Sequence, residues 1–348
     1  MPGTETNGDG RDGFMPRHKI IKFFEDYVTT FSLPVRYNTK VNSVTQTEDK
    51  MYLVQTGVTD YKAKNVVIAT GFFQLPKIPV FAKNLSAEIH QLHSSEYRNP
   101  MALANGGVLV VGSGQSGCQI AEELQRAGRK VFSSTGRAGR APRRYRGKDI
   151  IEWLELAGFF NLTPEQLPAG MGKFDGIPHL SGAGGGHTLN LHRFARDGMT
   201  LLGHVQGATN SMILAAPDLY DNLDAVDNFE LDLTRMIDGY IEAHGLPAPP
   251  ETLEVLRDGY AQPILEELNL RMVGIHTVIW AIGYMFDYNM IKLPVFDQDG
   301  FPIQSSGVTK YPGLYFVGIP WMPSERSGAL LGVGESANHI ASQIVAAI

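Results

Sequence analysis

Two hydrophobic spacings alternate along the chain, and together they predict strands followed by helices. Short apolar runs rich in β-branched residues, the pattern of buried parallel strands, occupy 65–71, 108–111, 130–134, 278–284 and 314–318. A helical period occupies 16–31, 118–127, 219–244 and 335–345. This alternation predicts an α/β fold built on a doubly wound parallel sheet.

Other stretches predict smaller elements. Strands are expected at 34–37, 41–44 and 51–56, and a helix at 150–160. The runs 200–205 and 211–214 predict a β-hairpin that turns through 207–210. The polar first dozen residues predict disorder.

A glycine motif, Gly112-Ser113-Gly114-Gln115-Ser116-Gly117, lies between the strand at 108–111 and the helix that follows. In a dinucleotide site the first glycine permits the tight turn, the second admits the pyrophosphate and the third allows close helix packing. The helix N-terminus then offers free amides and a positive dipole end to phosphate. Because a strand precedes the motif and a second strand follows its helix, we predict a dinucleotide site rather than a structural turn.

The end of that second strand indicates which dinucleotide binds. An NAD site has an acidic residue about 20 positions after the first glycine, whereas this chain has Ser134 and Arg137 in that region. Hydroxyls and a guanidinium suit a 2′-phosphate, so we predict NADPH. For the following arginines, a solvated surface is an equally good interpretation: Arg140, Arg143, Arg144 and Arg146.

Composition restricts the other possibilities. The net charge of −6 carries no general signature of binding to nucleic acid. The chain has no secretory signal and no apolar run long enough to cross a membrane, so we expect a cytoplasmic protein. Its one cysteine, Cys118, is expected to pack in the core. His179, His187 and His192 match no zinc spacing, so no metal is predicted.

Several further motifs stand in a characteristic order around the glycine motif. Thr70-Gly71 closes the first buried strand, His93 and Tyr97 precede the glycine motif, Ile282-Gly283 closes a later strand and Gly318 closes the last. In this order and spacing the chain resembles the flavin-containing monooxygenase-like branch of the two-dinucleotide-binding-domain flavoproteins. The resemblance covers residues 14–348, more loosely over 150–270.

The resemblance implies a Rossmann-like NADPH domain, residues 76–283 with a loosely patterned insertion at 150–270, placed within an FAD-binding domain formed by 1–75 and 284–348. It also implies that NADPH reduces FAD, that O₂ then forms a C4a-hydroperoxyflavin, and that a small-molecule substrate is oxygenated. Thr70, Gly71, Ile282, Gly283 and Gly318 would lie beside the cofactors. His93 and Tyr97 are the candidate catalytic residues, although a structural pair at the domain boundary is an equally good interpretation.

One departure leaves an alternative function open. Members of this family begin with an FAD-binding Gly-x-Gly-x-x-Gly unit, and this chain has none before residue 112. The FAD domain is therefore expected to be incomplete at its N-terminal side, and the alternative is a truncated, non-catalytic NADPH-binding module. A disulfide reductase is disfavoured because a single cysteine excludes a Cys-x-x-Cys centre. A homo-oligomer is compatible with either interpretation.

Overall fold

The computed structural model describes residues 13–166, 178–322 and 324–347, and strands and helices are numbered in chain order. The segment expected to be disordered, 1–12, lies outside these residues. The chain divides into two compact units. Unit 1 comprises 1–75, 158–173 and 284–348, and unit 2 comprises 76–157 and 174–283.

Unit 1 has two small sheets and two long helices. Its elements are α1 (Arg17–Thr30), β1 (Val41–Gln46), β2 (Tyr52–Thr56), β3 (Tyr61–Ala63), β4 (Val66–Ile68), β17 (Leu314–Phe316) and α6 (Val333–Ala346). The strands β1, β2 and β3 form an antiparallel meander, and β17 pairs with β4 in parallel. Apolar residues of β1, β2, β4 and β17 share one core with the 286–301 segment. Two further strands, each of two residues, are β5 (Leu75–Pro76) and β16 (Tyr284–Met285).

Unit 2 is built on a five-stranded parallel sheet. In spatial order its strands are β11 (Thr200–Leu202), β8 (Val131–Ser134), β7 (Gly107–Val111), β15 (Ile275–Trp280) and β6 (His90–His93). All five residues of β7 are buried, as expected for a central strand covered on both faces.

Alternate residues of β7 enter two different cores. On one side lie the helices α2 (Gln115–Arg126), α4 (Leu191–Arg196) and α5 (Leu219–His244). On the other lies an antiparallel sheet of β12 (Val205–Thr209), β13 (Met212–Ala215) and β14 (Glu267–Asn269). Smaller elements are β9 (Arg144–Tyr145), β10 (Lys148–Asp149) and α3 (Ile150–Leu156).

The predicted hairpin at 200–214 is wrong in its first strand. Thr200–Leu202 pairs in parallel with Phe132–Ser134 at the edge of the main sheet, and the hairpin consists of β12 and β13. Gly203 lies between the two elements. A side chain does not fit there, because a Cβ would stand 2.1 Å from the carbonyl oxygen of Ala216. The apolar run therefore contains two strands that belong to different sheets.

Two other expectations also differ from the structure. No strand forms at 34–37 within the described residues, where the backbone makes a turn. The segment after Gly158, expected within the NADPH domain, groups with unit 1. There Arg326 donates a hydrogen bond from Nη1 to Asn161 Oδ1 over 3.2 Å, a contact that local sequence does not reveal.

Candidate functional site

The glycine motif forms the turn between β7 and α2, and two of its glycines are required by close backbone contacts. Gly112 has a φ of +106°, and a Cβ there would lie 2.5 Å from the carbonyl oxygen of Ala281. A Cβ at Gly117 would lie only 1.8 Å from the carbonyl oxygen of Gly112. Any side chain at either position would displace backbone atoms, so the turn is specific for glycine.

Gly114 differs from the other two glycines because open space lies in front of it. A Cβ at this position would meet no atom within 4 Å. Gly114 precedes α2 without a side-chain cap, and the first helical hydrogen bond is donated by Cys118 to its carbonyl oxygen over 3.0 Å. The amides of Gln115, Ser116 and Gly117 therefore have no acceptor within α2 and lie at the positive end of the helix dipole. The arrangement suits an anionic group such as a pyrophosphate.

The polar side chains of the motif have different roles. Ser113 is buried, and its Oγ accepts a hydrogen bond from the amide of Gly136 over 2.9 Å. Ser116 is exposed. The amide group of Gln115 pairs with the backbone of Leu180, accepting from its N–H over 2.8 Å and donating to its carbonyl oxygen. Ser113 and Gln115 thus fix neighbouring segments rather than project into the space.

Arg137 is exposed and, among the residues that the structure describes, forms no ion pair. Three of the arginines that follow it are bound to carboxylates. Arg140 is buried between Asp227 and Glu230 at 2.8 and 2.7 Å. The other two pairs are Arg143 with Asp149 at 2.6 Å and Arg146 with Asp238 at 2.7 Å. A guanidinium available for a phosphate is therefore found at Arg137.

Ser134, the other predicted ligand of the 2′-phosphate, is hydrogen-bonded to backbone. Its side chain is buried, and its Oγ donates a hydrogen bond to the carbonyl oxygen of Gly203 over 2.9 Å. The neighbouring Thr135 is likewise buried and bonded to the carbonyl oxygen of Leu202. Both hydroxyls hold β8 to the backbone near β11, and contact of Ser134 with a 2′-phosphate stays a prediction.

Ile282 and Gly283 follow β15, the strand next to the glycine turn. A Cβ at Gly112 would lie 3.4 Å from Ile282 Cγ2, so these two strand ends are in contact. Gly283 has a φ of +86°, which favours glycine. Its carbonyl oxygen accepts hydrogen bonds from the amide of Lys77 and from His93 Nε2, each over 3.0 Å.

The candidate catalytic residues His93 and Tyr97 are held by structural partners. His93 is fully buried, and the amide of Ser95 donates to its Nδ1 over 3.1 Å, so its ring proton lies on Nε2 and is donated to Gly283. Tyr97 donates its hydroxyl hydrogen to Glu123 over 2.9 Å. Burial, reinforced by that carboxylate, raises the pKa of Tyr97 above its usual range. This geometry favours the structural interpretation of both residues.

In unit 1, Thr70, Gly71 and Gly318 lie at the carboxyl end of the parallel pair β4 and β17. Gly71 and Gly318 have φ values of +68° and +76°. A Cβ at Gly71 would lie 4.0 Å from the carbonyl oxygen of Gly318, and a Cβ at Gly318 would lie 3.7 Å from Val333 at the start of α6. The two glycine corners and the start of α6 therefore form one edge of unit 1.

Gln74 was missed by the sequence analysis, yet it holds this edge. Its Nε2 donates to Thr70 Oγ1 over 2.8 Å and to the carbonyl oxygen of Gly71 over 3.0 Å. The hydroxyl of Tyr288 donates to the same carbonyl oxygen over 3.3 Å, and burial raises the pKa of Tyr288 to about 12. No local signal identifies Tyr288, because the contact spans 217 residues.

The remaining candidate residues have structural roles. Cys118 is buried, and burial raises the pKa of its thiol to about 12, so it is a packing residue as predicted. His187 bonds to Glu122 and His192 to Asp227. Across the described residues, no group of three or more metal-ligating side chains is placed to hold a metal ion.

A cavity of about 700 Å³ lies against the other end of α2. Its lining includes Glu122, Arg126, Arg193 and Glu254, which pair with one another as ions. Because these residues follow the first turn of α2 or lie on α4 and the 253–256 segment, this cavity is separate from the open space in front of Gly114. In the part of the chain that the structure describes, no helix is long and apolar enough to cross a membrane.

Comparisons with known proteins agree on one family. The family described as pyridine nucleotide-disulphide oxidoreductase matches residues 10–154. An oxidoreductase of Geobacillus kaustophilus, described as CzcO-like, is 32% identical over 347 residues, which cover 99% of this chain and 82% of the relative. Flavin-containing monooxygenase 1 of mouse is 31% identical over 168 residues, covering 44% of this chain and 32% of that enzyme.

The fold is also found among solved structures. A flavin-containing monooxygenase from Stenotrophomonas maltophilia superimposes with a TM-score of 0.65 at 16% identity, covering 99% of this chain and 81% of that one. This agreement confirms the predicted α/β architecture.

Proposed function

The chain belongs to the flavin-containing monooxygenase-like family of flavoprotein oxidoreductases, and from that premise we propose that it binds NADPH in unit 2 and FAD in unit 1 and acts as a flavin monooxygenase. It is an enzyme of the flavin-dependent oxidoreductase type. What we propose beyond this class is that the nicotinamide cofactor is NADPH and that the reaction oxygenates a small molecule with O₂.

The observation that carries the proposal is the open, uncapped N-terminus of α2 in front of Gly114. A pyrophosphate placed there would receive hydrogen bonds from the amides of Gln115, Ser116 and Gly117. Arg137, exposed and without an ion pair among the described residues, would pair with the 2′-phosphate. These residues fit NADPH better than NADH, because no carboxylate follows β8 to hold a free ribose hydroxyl.

The proposed role of His93 is to orient backbone. By donating to the carbonyl oxygen of Gly283, it fixes the corner after β15 that lies beside the glycine turn. Buried and fully hydrogen-bonded, His93 does not exchange a proton with substrate in this role.

The residues of unit 1 fit one side of a flavin. Thr70, Gly71 and Gly318 would face the ring, and the N-terminus of α6 begins beside Gly318. When bound, FAD would accept a hydride from NADPH and support transfer of oxygen from O₂ to a substrate. Among the described residues, however, unit 1 has no glycine turn equivalent to 112–117 to hold the FAD pyrophosphate. That difference favours the second candidate, an NADPH-binding module without FAD.

A visible absorption spectrum of the purified 348-residue chain, recorded before and after addition of FAD, separates the two candidates. We expect a protein-bound flavin band that NADPH bleaches under anaerobic conditions. The Gly114→Val variant is the control, because it should keep the flavin band but resist bleaching. Folded protein that binds NADPH but retains no flavin would support the module, and folded protein that binds neither would contradict both.

A further inference from the structure

Residues 178–187, here called the strap, lie along one face of α2. Gln115 makes two hydrogen bonds with the backbone of Leu180, and Gln119 donates a third to the same carbonyl oxygen over 3.2 Å. Farther along the helix, Glu122 lies 2.7 Å from His187 Nε2. Positions 115, 119 and 122 share one helical face, so the strap follows α2 from its first turn.

The strap is also bonded to the loop that carries Arg137. The amide of His179 donates to the carbonyl oxygen of Gly139 over 3.1 Å, and His179 forms a β-bridge with Arg140. His179 is fully buried, and its Nε2 hydrogen bonds to the carbonyl oxygen of Leu189, so this end of the strap is anchored in the unit. Gly139 is two residues after Arg137.

Two adjacent strap residues therefore connect the two halves of the dinucleotide site. Leu180 is held by Gln115 in the glycine turn, and His179 is held by Gly139, which is two residues from Arg137. Both amide atoms of Gln115 bond to the backbone of Leu180, so its side chain holds the strap at the first turn of α2.

We propose that Gln115 is a positioning residue for dinucleotide selectivity. Through Leu180 and His179 it sets the distance between Arg137 and the amides of residues 115–117, here called the pyrophosphate cradle. This inference rests on the proposed binding of NADPH in unit 2. NADPH engages both halves of the site at once, whereas NADH engages only the cradle. A loosened strap therefore weakens NADPH binding selectively, because the two contacts are no longer held at one separation.

The test compares the Gln115→Ala and Gln119→Ala variants of the full chain. Gln119 is the matched control, since it lies on the same face and bonds to the same carbonyl oxygen but makes one hydrogen bond instead of two. Titration calorimetry with NADP⁺ and NAD⁺ gives the ratio of their Kd values, and thermal unfolding reports on the fold. The fragments 2′,5′-ADP and 5′-AMP repeat the comparison without the nicotinamide half.

For Gln115→Ala we expect NADP⁺ affinity to fall about tenfold, in keeping with the loss of two hydrogen bonds, and NAD⁺ affinity to stay within about twofold. For Gln119→Ala both should stay within about twofold, since Gln115 still holds Leu180 by two hydrogen bonds. Equal losses for both nucleotides in Gln115→Ala, or no loss for either, would overturn the inference. A wild-type chain that does not prefer NADP⁺ to NAD⁺ would instead contradict the proposed binding of NADPH, on which this inference rests.

Discussion

The carbonyl oxygen of Gly112 lies 1.8 Å from the position that a Cβ at Gly117 would occupy, so the first helical turn of α2 packs directly on the glycine turn. No such contact exists at Gly114, where a Cβ would meet nothing within 4 Å. The motif therefore contains two glycines required by the fold, Gly112 and Gly117, and a third, Gly114, that faces open space among the described residues.

This difference predicts opposite effects of two substitutions. Gly114→Val should leave thermal unfolding within a few degrees of the wild type but abolish NADPH binding, because the side chain would fill the space for the pyrophosphate. Gly117→Ala should destabilise the chain by more than about 2 kcal/mol, because the backbone must move to admit the methyl group. Calorimetric titration and unfolding curves measure both. Undiminished NADPH affinity in Gly114→Val would remove the central claim about the site.

Removal of the Arg137 guanidinium should change nucleotide preference. We expect Arg137→Ala to weaken NADPH binding roughly 10- to 100-fold, as for loss of a charge-assisted hydrogen bond, with NADH changed by less than about twofold. Arg146→Ala is the matched control, because it removes the same charge from a residue already paired with Asp238. It should leave the ratio of the two affinities unchanged. Equal losses of NADPH and NADH in Arg137→Ala would show that this residue does not contact the 2′-phosphate.

Stability should fall in mild acid because of a buried histidine. Burial lowers the pKa of His179 to about 4, from an ordinary value of 6.5, and nearby Arg140 acts in the same direction. The folded chain then keeps His179 neutral while the unfolded chain protonates it, so the stabilisation is complete above pH 6.5 and is lost as the pH falls towards 4.

Between pH 7 and pH 5 this group should reduce the free energy of unfolding by roughly 2 kcal/mol. Urea unfolding at the two pH values should therefore show a smaller difference for His179→Gln than for the wild type. The exposed His204 provides the control variant, His204→Gln, which should retain the wild-type difference. An unchanged pH dependence in His179→Gln would contradict the assignment.

Local pattern predicted the elements that depend on sequence neighbours. The helix expected at 219–244 has those bounds in the structure, and it ends at Gly245, whose φ is +58°. The strands expected at 108–111 and 314–318 form as buried parallel strands. Periodicity and glycine chemistry act over a few residues, so they can be read without knowledge of the fold.

Contacts between residues distant in the chain cannot be predicted from local sequence. The apolar run at 200–205 suits a hairpin strand and a parallel edge strand equally well. Only its pairing with β8 shows that it is a parallel edge strand. The place of Ser134 at the strand end predicts a phosphate ligand, and local sequence does not show that its hydroxyl donates to Gly203, 69 residues later.

The sequence by itself determined the β7–glycine–α2 unit and the order of the motifs, because the tight turn, the helix start and the buried strand each follow from adjacent residue types. Tertiary structure decided which polar groups are available to a ligand. Arg140 and Arg146 are neutralised by carboxylates from a distant helix and Arg143 by the nearby Asp149, while Arg137 has no ion pair among the described residues. A charged side chain binds whichever partner the fold brings within reach, and that choice is not encoded in its neighbours.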